Sequence, residues 1–503
     1  MNNNVAAPPR DPQGYCQLGQ AFLRQGDIPR AVDAYGAAIM LQASFWPAYL
    51  ERARIRLLAR DFLAAVRDLE TVVKLAPGEC AAFLDLGRAW HGAGDIERAR
   101  SCFAQAIAID PAFAEAHYNL GVLDFNAGHI DAAVENYTRA IEHKPQFVIV
   151  YSNLSVALEA RGETDKAMEV LEKAIAIAPH DPSAQWNKAL LLLRSGRYAE
   201  GWKQYEWRWG AGKAGEYRRF PGRPLWLGGT KLAGKTILLH AEQGLGDTIQ
   251  FLRYVPLVAA AGARVVLEVA QPLVRLARRM EGVAEVVTER IRLPAFDVHC
   301  PMMSLPLAFG TTLDSIPSQI PYILPDETLV LKWRARFGPR TRPRVGLVWQ
   351  GNPLYEGDAE RSMGFSVLRE GLAEGVDYVC LQKPVSATDW PVVQSFRGIA
   401  DMGTGQEDFD DTCAMIALCD AVVTSDTAAV HLAGAMGKPV WLMLSRRAEW
   451  RWLKDRADSP WYPTARLLRQ TKQGEWSTVL SAIRSEMTRL AEGGSSGAGS
   501  ALP

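Results

Sequence analysis

The sequence predicts an α-helical solenoid followed by two α/β domains, each built on a parallel sheet. Two observations lead to this fold class. Roughly the first two hundred residues repeat with a period of 34, whereas the residues after Leu232 alternate short apolar segments with helical segments. The first pattern is typical of stacked helix pairs and the second of parallel sheets. The expected domains are residues 12–215, 216–330 and 340–492, with a disordered Gly/Ser/Ala-rich tail over 493–503.

The solenoid is predicted by four positions that recur in register. The small residues are Ala31, Ala65, Ala99, Ala133, Ala167 and Gly201, and also Gly19, Ala53, Gly87, Gly121, Ser155 and Ala189. The bulky residues are Tyr35, Leu69, Phe103, Tyr137, Leu171 and Tyr205, and the prolines are Pro77, Pro111, Pro145 and Pro179. Small residues let paired helices approach, bulky ones fill the space between pairs, and proline ends the second helix. The pattern resembles the tetratricopeptide repeat (TPR), which binds other polypeptides.

Five repeats span about residues 12–181, and a degenerate sixth follows from Pro182. Its aromatic residues Trp202, Tyr205, Trp207 and Trp209 suggest a terminal repeat that is docked on the next domain.

Three asparagines share a further register on the first helix of successive repeats: Asn119, Asn153 and Asn187. An amide donates and accepts, so such a ladder could hold the backbone of an extended acceptor peptide. It resembles the asparagine ladder of protein O-GlcNAc transferases. The alternative is that each asparagine bonds the backbone of its own repeat. The earlier repeats carry Gln17, Glu51 and Asp85 at this position.

Eight strands are expected in the second part of the chain. They are residues 235–241, 263–270, 284–289 and 296–300, and then 345–350, 378–383, 421–426 and 439–444. A last helix, about Trp476–Glu492, is expected to cross back to the first of the two sheets. Two consecutive doubly wound domains would enclose a cleft at the carboxyl ends of their strands, where ligands bind.

Polar residues gather at those predicted strand ends. They are His240 to Asp247, Gln350 to Asn352, Gln382 with Lys383, and Ser425 to Thr427. Gly244 and Gly246 would let a ligand approach the backbone, and the turn before the helix at Ser425–Thr427 suits a phosphate. Neither turn is a dinucleotide-binding or P-loop motif.

The charge balance and the cysteine pattern of the sequence argue against several classes of function. Lys plus Arg and Asp plus Glu both number 56, which argues against broad capture of nucleic acid. The seven cysteines contain no C-x-x-C pair, and the chain shows no signal peptide and no membrane-length apolar run, so a cytoplasmic protein is expected.

GLGDTIQF, followed by SDTAAVHLAGAMGKP, resembles the ADP-heptose:lipopolysaccharide heptosyltransferases (glycosyltransferase family 9 type). That resemblance covers about Lys235 to Glu492. It implies two Rossmann-like domains in the glycosyltransferase B (GT-B) arrangement, without metal or cofactor. WQGNP, Arg361 with Ser362, and DSPWYPTARLLRQ are similar to repeat-fused bacterial flagellin glycosyltransferases.

The resemblance also implies residue roles. Asp247 matches the catalytic base, with helix capping as the alternative. Arg361 matches the basic residue against the donor diphosphate, with a solvated surface arginine as the alternative. Ser425, Asp426 and Thr427 match the donor-binding turn, although Ala428 stands where the family usually has glycine, which leaves heptose specificity open.

Further donor-binding candidates are Gln243, Gly244, Gly246, Gln350, Asn352, Gln382, Lys383, His431 and Trp461. Interdomain packing is the alternative for Trp461, and a purely structural role is the alternative for His431. Asp408–Phe409–Asp410 fits a metal-binding D-x-D, but capping of the following helix explains it better.

These observations predict an inverting, metal-independent transferase that moves a sugar from a nucleotide donor to Ser or Thr of a TPR-bound protein, by analogy flagellin. Hexosyl, heptosyl and nonulosonyl donors all remain open. One alternative is a TPR scaffold with an inactive transferase module, supported by Ala428. Another is an enzyme of lipopolysaccharide or nucleotide sugars whose repeats only dock a partner.

Overall fold

The computed structural model describes residues 9–212, 219–220, 222–288, 293–355, 357–400 and 405–493. Except for Gly493, the tail that was predicted to be disordered lies outside these ranges. The chain forms two compact units, Met1–Asn187 and Lys188–Pro503. The division falls inside a helix of the sixth repeat, whereas the sequence placed the end of the solenoid near residue 215.

The first unit is a solenoid of helix pairs, which confirms the helical-repeat prediction. Its helices are α1 Pro12–Arg24, α2 Ile28–Leu41, α3 Trp46–Leu58, α4 Phe62–Leu75, α5 Cys80–Gly92, α6 Ile96–Ile109, α7 Ala114–Asn126, α8 Ile130–His143, α9 Val148–Ala160 and α10 Thr164–Ile177. Helix α11, Pro182–Arg194, begins the sixth repeat and contains the division between the units.

Small and bulky registers meet inside the helix pairs that carry glycine at the small position. A Cβ added to Gly19 would lie 2.8 Å from the Tyr35 ring, and one added to Gly121 would lie 2.8 Å from the Tyr137 ring. Each partner comes 16 residues after the small residue. Glycine faces an aromatic ring in three repeats, whereas Ala53 and Ser155 share their repeats with leucine; the degenerate pair Ala189 and Tyr205 departs from this rule. The paired positions therefore hold a roughly constant volume.

We expect Gly87→Ala to destabilise the first unit by about 1–3 kcal/mol, because its methyl group would overlap the Phe103 ring. Adding Phe103→Leu should make the double variant more stable than the sum of the two single losses predicts. Denaturant unfolding of the four proteins checks this. Gly36→Ala is the control, because its Cβ would meet only Arg52, at 3.8 Å, and alanine favours a helix. Additive losses would contradict the volume rule.

The second unit begins with the rest of α11 and with α12, Tyr198–Tyr205, and continues into a four-stranded parallel sheet. The strand order is β3-β2-β1-β4, and the four expected segments form it. Its elements are β1 Thr236–His240, α13 Leu245–Phe251, α14 Val255–Ala260, β2 Arg264–Glu268, α15 Val274–Ala277, β3 Val283–Val287, β4 Val298–Pro301 and α16 Leu305–Ala308.

A second, six-stranded parallel sheet follows, in the order β10-β9-β8-β5-β6-β7. Its elements are α17 Glu327–Phe337, β5 Arg344–Val348, α18 Asp358–Arg361, α19 Phe365–Leu368, β6 Asp377–Cys380, α20 Trp390–Ser395, β7 Ile399–Ala400, α21 Phe409–Ala417, β8 Ala421–Ser425, α22 Ala428–Ala435, β9 Val440–Leu444, β10 Ala465–Arg469 and α23 Ser477–Gly493. Strands β5, β6, β8 and β9 were expected from the sequence, whereas the edge strands β7 and β10 were not. Strands β5, β8 and β9 are buried along their whole length, so this sheet is a core element.

The expectation that the last helix crosses back to the first sheet is wrong. The apolar side chains Leu480, Ile483 and Met487 of α23 pack into the core of the six-stranded sheet. Tyr378 on β6 donates a hydrogen bond to the sulfur of Met487, over 3.3 Å. Since the apolar face of α23 is buried against the six-stranded sheet, α23 belongs to the core that surrounds that sheet. Within the described ranges, no helix has the length and hydrophobicity that a membrane crossing requires.

Candidate active site

Two helix N-termini, one from each sheet, meet at the predicted cleft. Helix α13 follows β1 after Gly244, and α22 follows β8 after Thr427. A Cβ at Gly246 would lie 2.7 Å from Cδ2 of His431 and 3.3 Å from Cα of Ala428. Only glycine at position 246 therefore allows this approach. The structure thus brings together two motifs that lie about 180 residues apart in the sequence.

Asp247 is held by two different groups. One carboxylate oxygen accepts a hydrogen bond from the Gly244 backbone N–H over 2.9 Å, which caps the start of α13. The other oxygen forms an ion pair with Arg451. The capping alternative raised by the sequence is therefore present, and the ion pair adds a second constraint on the same carboxylate.

Arg451 lies in a short 3₁₀ turn, Trp450–Trp452, that sequence reasoning missed. Its guanidinium is 6% exposed, donates to the Gln250 side chain over 2.6 Å, and pairs with Asp247 and Glu449. No local motif marks these residues, since the Arg451–Asp247 pair spans 204 positions. The unusual Trp-Arg-Trp triplet was the one available signal.

Asp426 and His431 are buried on the six-stranded side of the cleft. The Trp452 indole N–H donates to the Asp426 carboxylate over 2.8 Å, and the Trp452 ring stacks on His431. Burial, followed by the charge of Glu449, raises the pKa of Asp426 to about 7. Burial also lowers the pKa of His431 to about 3, so this imidazole, which bonds the Tyr462 hydroxyl over 2.9 Å, is neutral at physiological pH.

The pKa of Asp426 predicts a pH dependence of stability. The folded state binds its proton more tightly than an unfolded chain does, so its contribution to stability is present at low pH and is lost as the pH rises from about 4 through about 7. Asp426→Asn removes this titration and keeps an oxygen for Trp452. Relative to wild type, the variant should therefore be more stable at pH 8 than at pH 5, by more than about 1 kcal/mol in the free energy of unfolding. An equal difference at both pH values, measured by denaturant unfolding, would contradict it.

Arg361 reaches the turn that was predicted to bind the donor. Its Nη1 donates to the Asp426 carbonyl over 2.6 Å, and its Nε donates to Asp358 over 3.0 Å. Ser425 and Thr427 are in the same turn. Thr427 caps α22 by accepting from the Ala429 N–H, and the buried Ser425 hydroxyl has no hydrogen-bond partner among the described residues. Arg361 is therefore hydrogen-bonded to the Ser425–Thr427 turn.

The polar residues after β5 and β6 support their own loops. The Gln382 side-chain oxygen accepts from the backbone N–H groups of Trp349, at 3.1 Å, and Gln350, at 2.9 Å. Lys383 donates to the backbone carbonyl of Gln406. Asn352 is exposed and accepts from Leu354 N–H over 3.0 Å. Gln382 and Lys383 therefore shape the cleft wall through the backbone.

Trp461 lies in a packed aromatic cluster, which we define as Tyr198, Trp202, Phe251, Trp450 and Trp461. Its side chain is completely buried, and its indole N–H donates to the Tyr198 hydroxyl over 3.0 Å. Both donor stacking and packing were open for this residue, and the packing alternative describes its position. Because Tyr198 and Trp202 come from α12, the second helix of the sixth repeat packs on the α/β part, as its aromatic content suggested.

A cavity of about 420 Å³ adjoins the cleft at the carboxyl ends of β1 and β2. Among its lining residues are Trp209, His240, Glu242, Gln243 and Glu268. Burial raises the pKa of Glu242 to about 7, against the opposing charge of Arg208. Glu242 accepts from Arg208 over 3.0 Å and from the Met303 N–H over 3.2 Å.

Asp408 of the D-x-D sequence caps α21, which confirms the capping interpretation. Its carboxylate accepts from the Asp410 backbone N–H over 2.9 Å, while the Asp410 side chain pairs with Arg279. Across the described part of the chain, no group of three or more His, Cys, Asp or Glu side chains could hold a metal ion.

The three ladder asparagines are half-buried on α7, α9 and α11. The amide N–H of Asn119 donates to the Glu115 carbonyl over 2.7 Å, that of Asn153 to the Tyr118 hydroxyl over 3.3 Å, and that of Asn187 to the Ser152 carbonyl over 3.4 Å. The own-repeat alternative therefore accounts for one donor of Asn119, whereas the other two asparagines bond the preceding repeat.

Comparison with known proteins identifies the repeats. Residues 16–79 and 118–182 match the family described as tetratricopeptide repeat, and residues 87–128 match a second TPR repeat description. The N-terminal region therefore contains TPR repeats. Protein FlbA of Caulobacter vibrioides is 28% identical over 340 residues, which are 61% of this chain and 55% of that protein. The chain thus spans about half the length of this relative.

Two similar solved structures each cover about a third of this chain. MamA is 25% identical and covers 32% of this chain and 95% of its own, with a TM-score of 0.31. TTC0263, a TPR protein of Thermus thermophilus, is 22% identical and covers 36% of this chain and 99% of its own, with a TM-score of 0.31.

Proposed function

We propose that this protein is an inverting, metal-independent glycosyltransferase. It moves a sugar from a nucleotide-activated donor to a Ser or Thr hydroxyl of a protein bound by the TPR repeats. The observation that carries this proposal is the meeting of the α13 and α22 N-termini from two parallel sheets. The backbone N–H groups at the start of α22 suit a phosphate-bearing donor, and Asp247 lies opposite them in the first turn of α13.

In the proposed reaction, Asp247 takes the proton from the acceptor hydroxyl as its oxygen bonds the anomeric carbon. The bond between that carbon and the donor phosphate oxygen breaks, and the leaving nucleotide keeps the electron pair. Arg361 and the turn at Ser425–Thr427 would stabilise the charge that develops on the phosphate. The GT-B arrangement implied by the sequence resemblance supports this placement of donor and acceptor. In the structure Arg361 bonds the Asp426 carbonyl, so the donor would have to share or replace this bond.

The test is co-expression of the full chain with a bacterial flagellin, followed by intact-mass measurement of the flagellin. We expect a mass increase of one or more sugar residues that disappears when the chain is left out. Sugar-nucleotide binding without any mass increase, for flagellin and for other co-expressed acceptors, would favour the scaffold alternative.

We also propose that the asparagine ladder holds the acceptor backbone. Among the described residues, no donor reaches the side-chain oxygens of Asn119 and Asn187, so both can accept from peptide N–H groups. Replacing all three asparagines with alanine should weaken acceptor binding at least ~10-fold, since each lost hydrogen bond contributes about 0.5–1.5 kcal/mol. The control is Asn126→Ala, an exposed asparagine outside the ladder. Calorimetric titration with a flagellin fragment measures the affinity, and an unchanged value would assign the asparagines to structure alone.

A further inference from the structure

The Trp450–Trp452 turn contacts three different parts of the second unit through three adjacent side chains. All three are buried, at 3%, 5% and 0% exposure. Trp450 packs edge-to-face on Trp202 of α12, with 5.2 Å between ring centroids, and also contacts Tyr205. The other two side chains, as described above, reach Asp247 on the first sheet side and Asp426 on the second.

Consecutive residues of a 3₁₀ turn cannot move independently, because their backbone atoms share one hydrogen-bonded turn. The Arg451 guanidinium also uses all of its nitrogens: Nε donates to Gln250, Nη1 pairs with Glu449, and Nη2 pairs with Asp247. A displacement of Trp450 would therefore displace Arg451 from Asp247. The aromatic contact with α12 supplies the packing that fixes Trp450.

We propose that Arg451 is a positioning residue for Asp247. We also propose that the packing of Trp450 on α12 fixes the turn that carries Arg451. This inference deepens the proposed function and rests on it. The ion pair with Arg451 holds the carboxylate in place, and the packing of α12 is required for that geometry. The terminal repeat helix is thereby part of the assembly of the reaction centre.

Charged and titratable groups lie near Asp247 on two elements, the 3₁₀ turn and α22. Arg451 contacts it directly, and Glu449 lies across the same guanidinium. From α22, His431 lies against Gly246, the residue before Asp247. Since His431 is neutral, Arg451 is the cation of this set, and its removal should make Asp247 easier to protonate.

The first experiment measures transfer by the full chain as a function of pH. In Arg451→Gln, the midpoint of the acid limb of the pH–rate profile should shift to higher pH by at least about one pH unit. Arg451→Lys should return this midpoint to its wild-type position, because the positive charge is present again. A purely structural role would lower the rate equally at every pH. An unmoved acid side would overturn the role of Arg451.

The second experiment tests the contact with α12. Trp450→Leu should lower kcat about 10²-fold, corrected for the folded fraction, with the KM for donor unchanged, because a misplacement of about 1 Å can cost that much. Trp333→Leu is the control: Trp333 is equally buried, contacts Asp411, and lies outside the proposed site. It should lower stability and leave the corrected kcat unchanged. A normal kcat in Trp450→Leu would overturn the inference and leave the proposed function standing.

A third measurement needs no activity. If Arg451 and Asp247 are coupled, the unfolding losses of Arg451→Gln and Asp247→Asn should combine to less than their sum in the double variant. Additive losses would overturn the pairing. If wild type transfers sugar to no acceptor although the pair is coupled, the proposed function fails and the positioning role falls with it.

Discussion

Asp247→Asn is expected to lower transfer to the protein acceptor by at least ~10²-fold, because an amide cannot take the proton of the attacking hydroxyl. The affinity for the nucleotide sugar should stay within about twofold of wild type, since the loss is confined to the transition state. The Asn side-chain oxygen can still accept from the Gly244 N–H, so α13 stays capped. Single-turnover transfer and equilibrium donor binding separate the two effects.

The matched control for this variant is Asp314→Asn. Asp314 is an exposed carboxylate in the second unit and lies outside the cleft. It should transfer at the wild-type rate. Near-normal transfer by Asp247→Asn would leave Asp247 as a cap and an ion-pair partner only.

Arg208→Met should destabilise the second unit by about 3–5 kcal/mol at pH 8. Arg208 is completely buried, pairs with Glu206 at 2.6 Å and Glu242 at 3.0 Å, and donates to Ser304 at 2.7 Å. The substitution leaves both carboxylates without their cation. Because the pKa of Glu242 is already about 7, protonation should relieve part of this penalty as the pH falls, so the loss should be smaller at pH 6.

Denaturant unfolding at the two pH values measures this effect. Arg264→Met is the control, because Arg264 pairs with Glu285 on the surface and is half exposed. Surface pairs contribute about 0–1 kcal/mol, so this variant should stay near wild type. A loss at Arg208 no larger than that of the control would show that the buried network contributes little to stability.

The sequence predicted the solenoid and the inner strands because each rests on a local or periodic pattern. Gly87 and Phe103 belong to registers that recur through the repeats, and the inner strands β5 and β8 are short, mainly apolar segments. The sequence also predicts the role of Gly246, since a glycine-rich turn between a strand and a helix indicates close approach of another group. The two-residue strand β7 is too short to leave a pattern.

The rest of the site depends on contacts that no local pattern encodes. No sequence pattern distinguishes Arg451 from the other arginines, because its contact with Asp247 exists only in the folded chain. Trp461 was ambiguous for the same reason, because an aromatic residue near a cleft can face a ligand or the core. The division between the compact units lies inside α11, and α12, which is a repeat helix by its period, packs with the α/β part of the chain. A truncation meant to isolate that part should therefore start at residue 188 and keep α12.

The aromatic cluster also gives the second unit an intrinsic fluorescence signal. Trp202, Trp450 and Trp461 lie within 6.3 Å of one another, ring centroid to ring centroid. Twelve further tryptophans lie outside this cluster, and three of them, Trp46, Trp90 and Trp186, belong to the first unit. Excited indoles this close exchange energy, so their shared fluorescence should change when α12 separates from the turn that bears Arg451. The part of the intrinsic emission that comes from this cluster thus reports on the assembly of the proposed reaction centre.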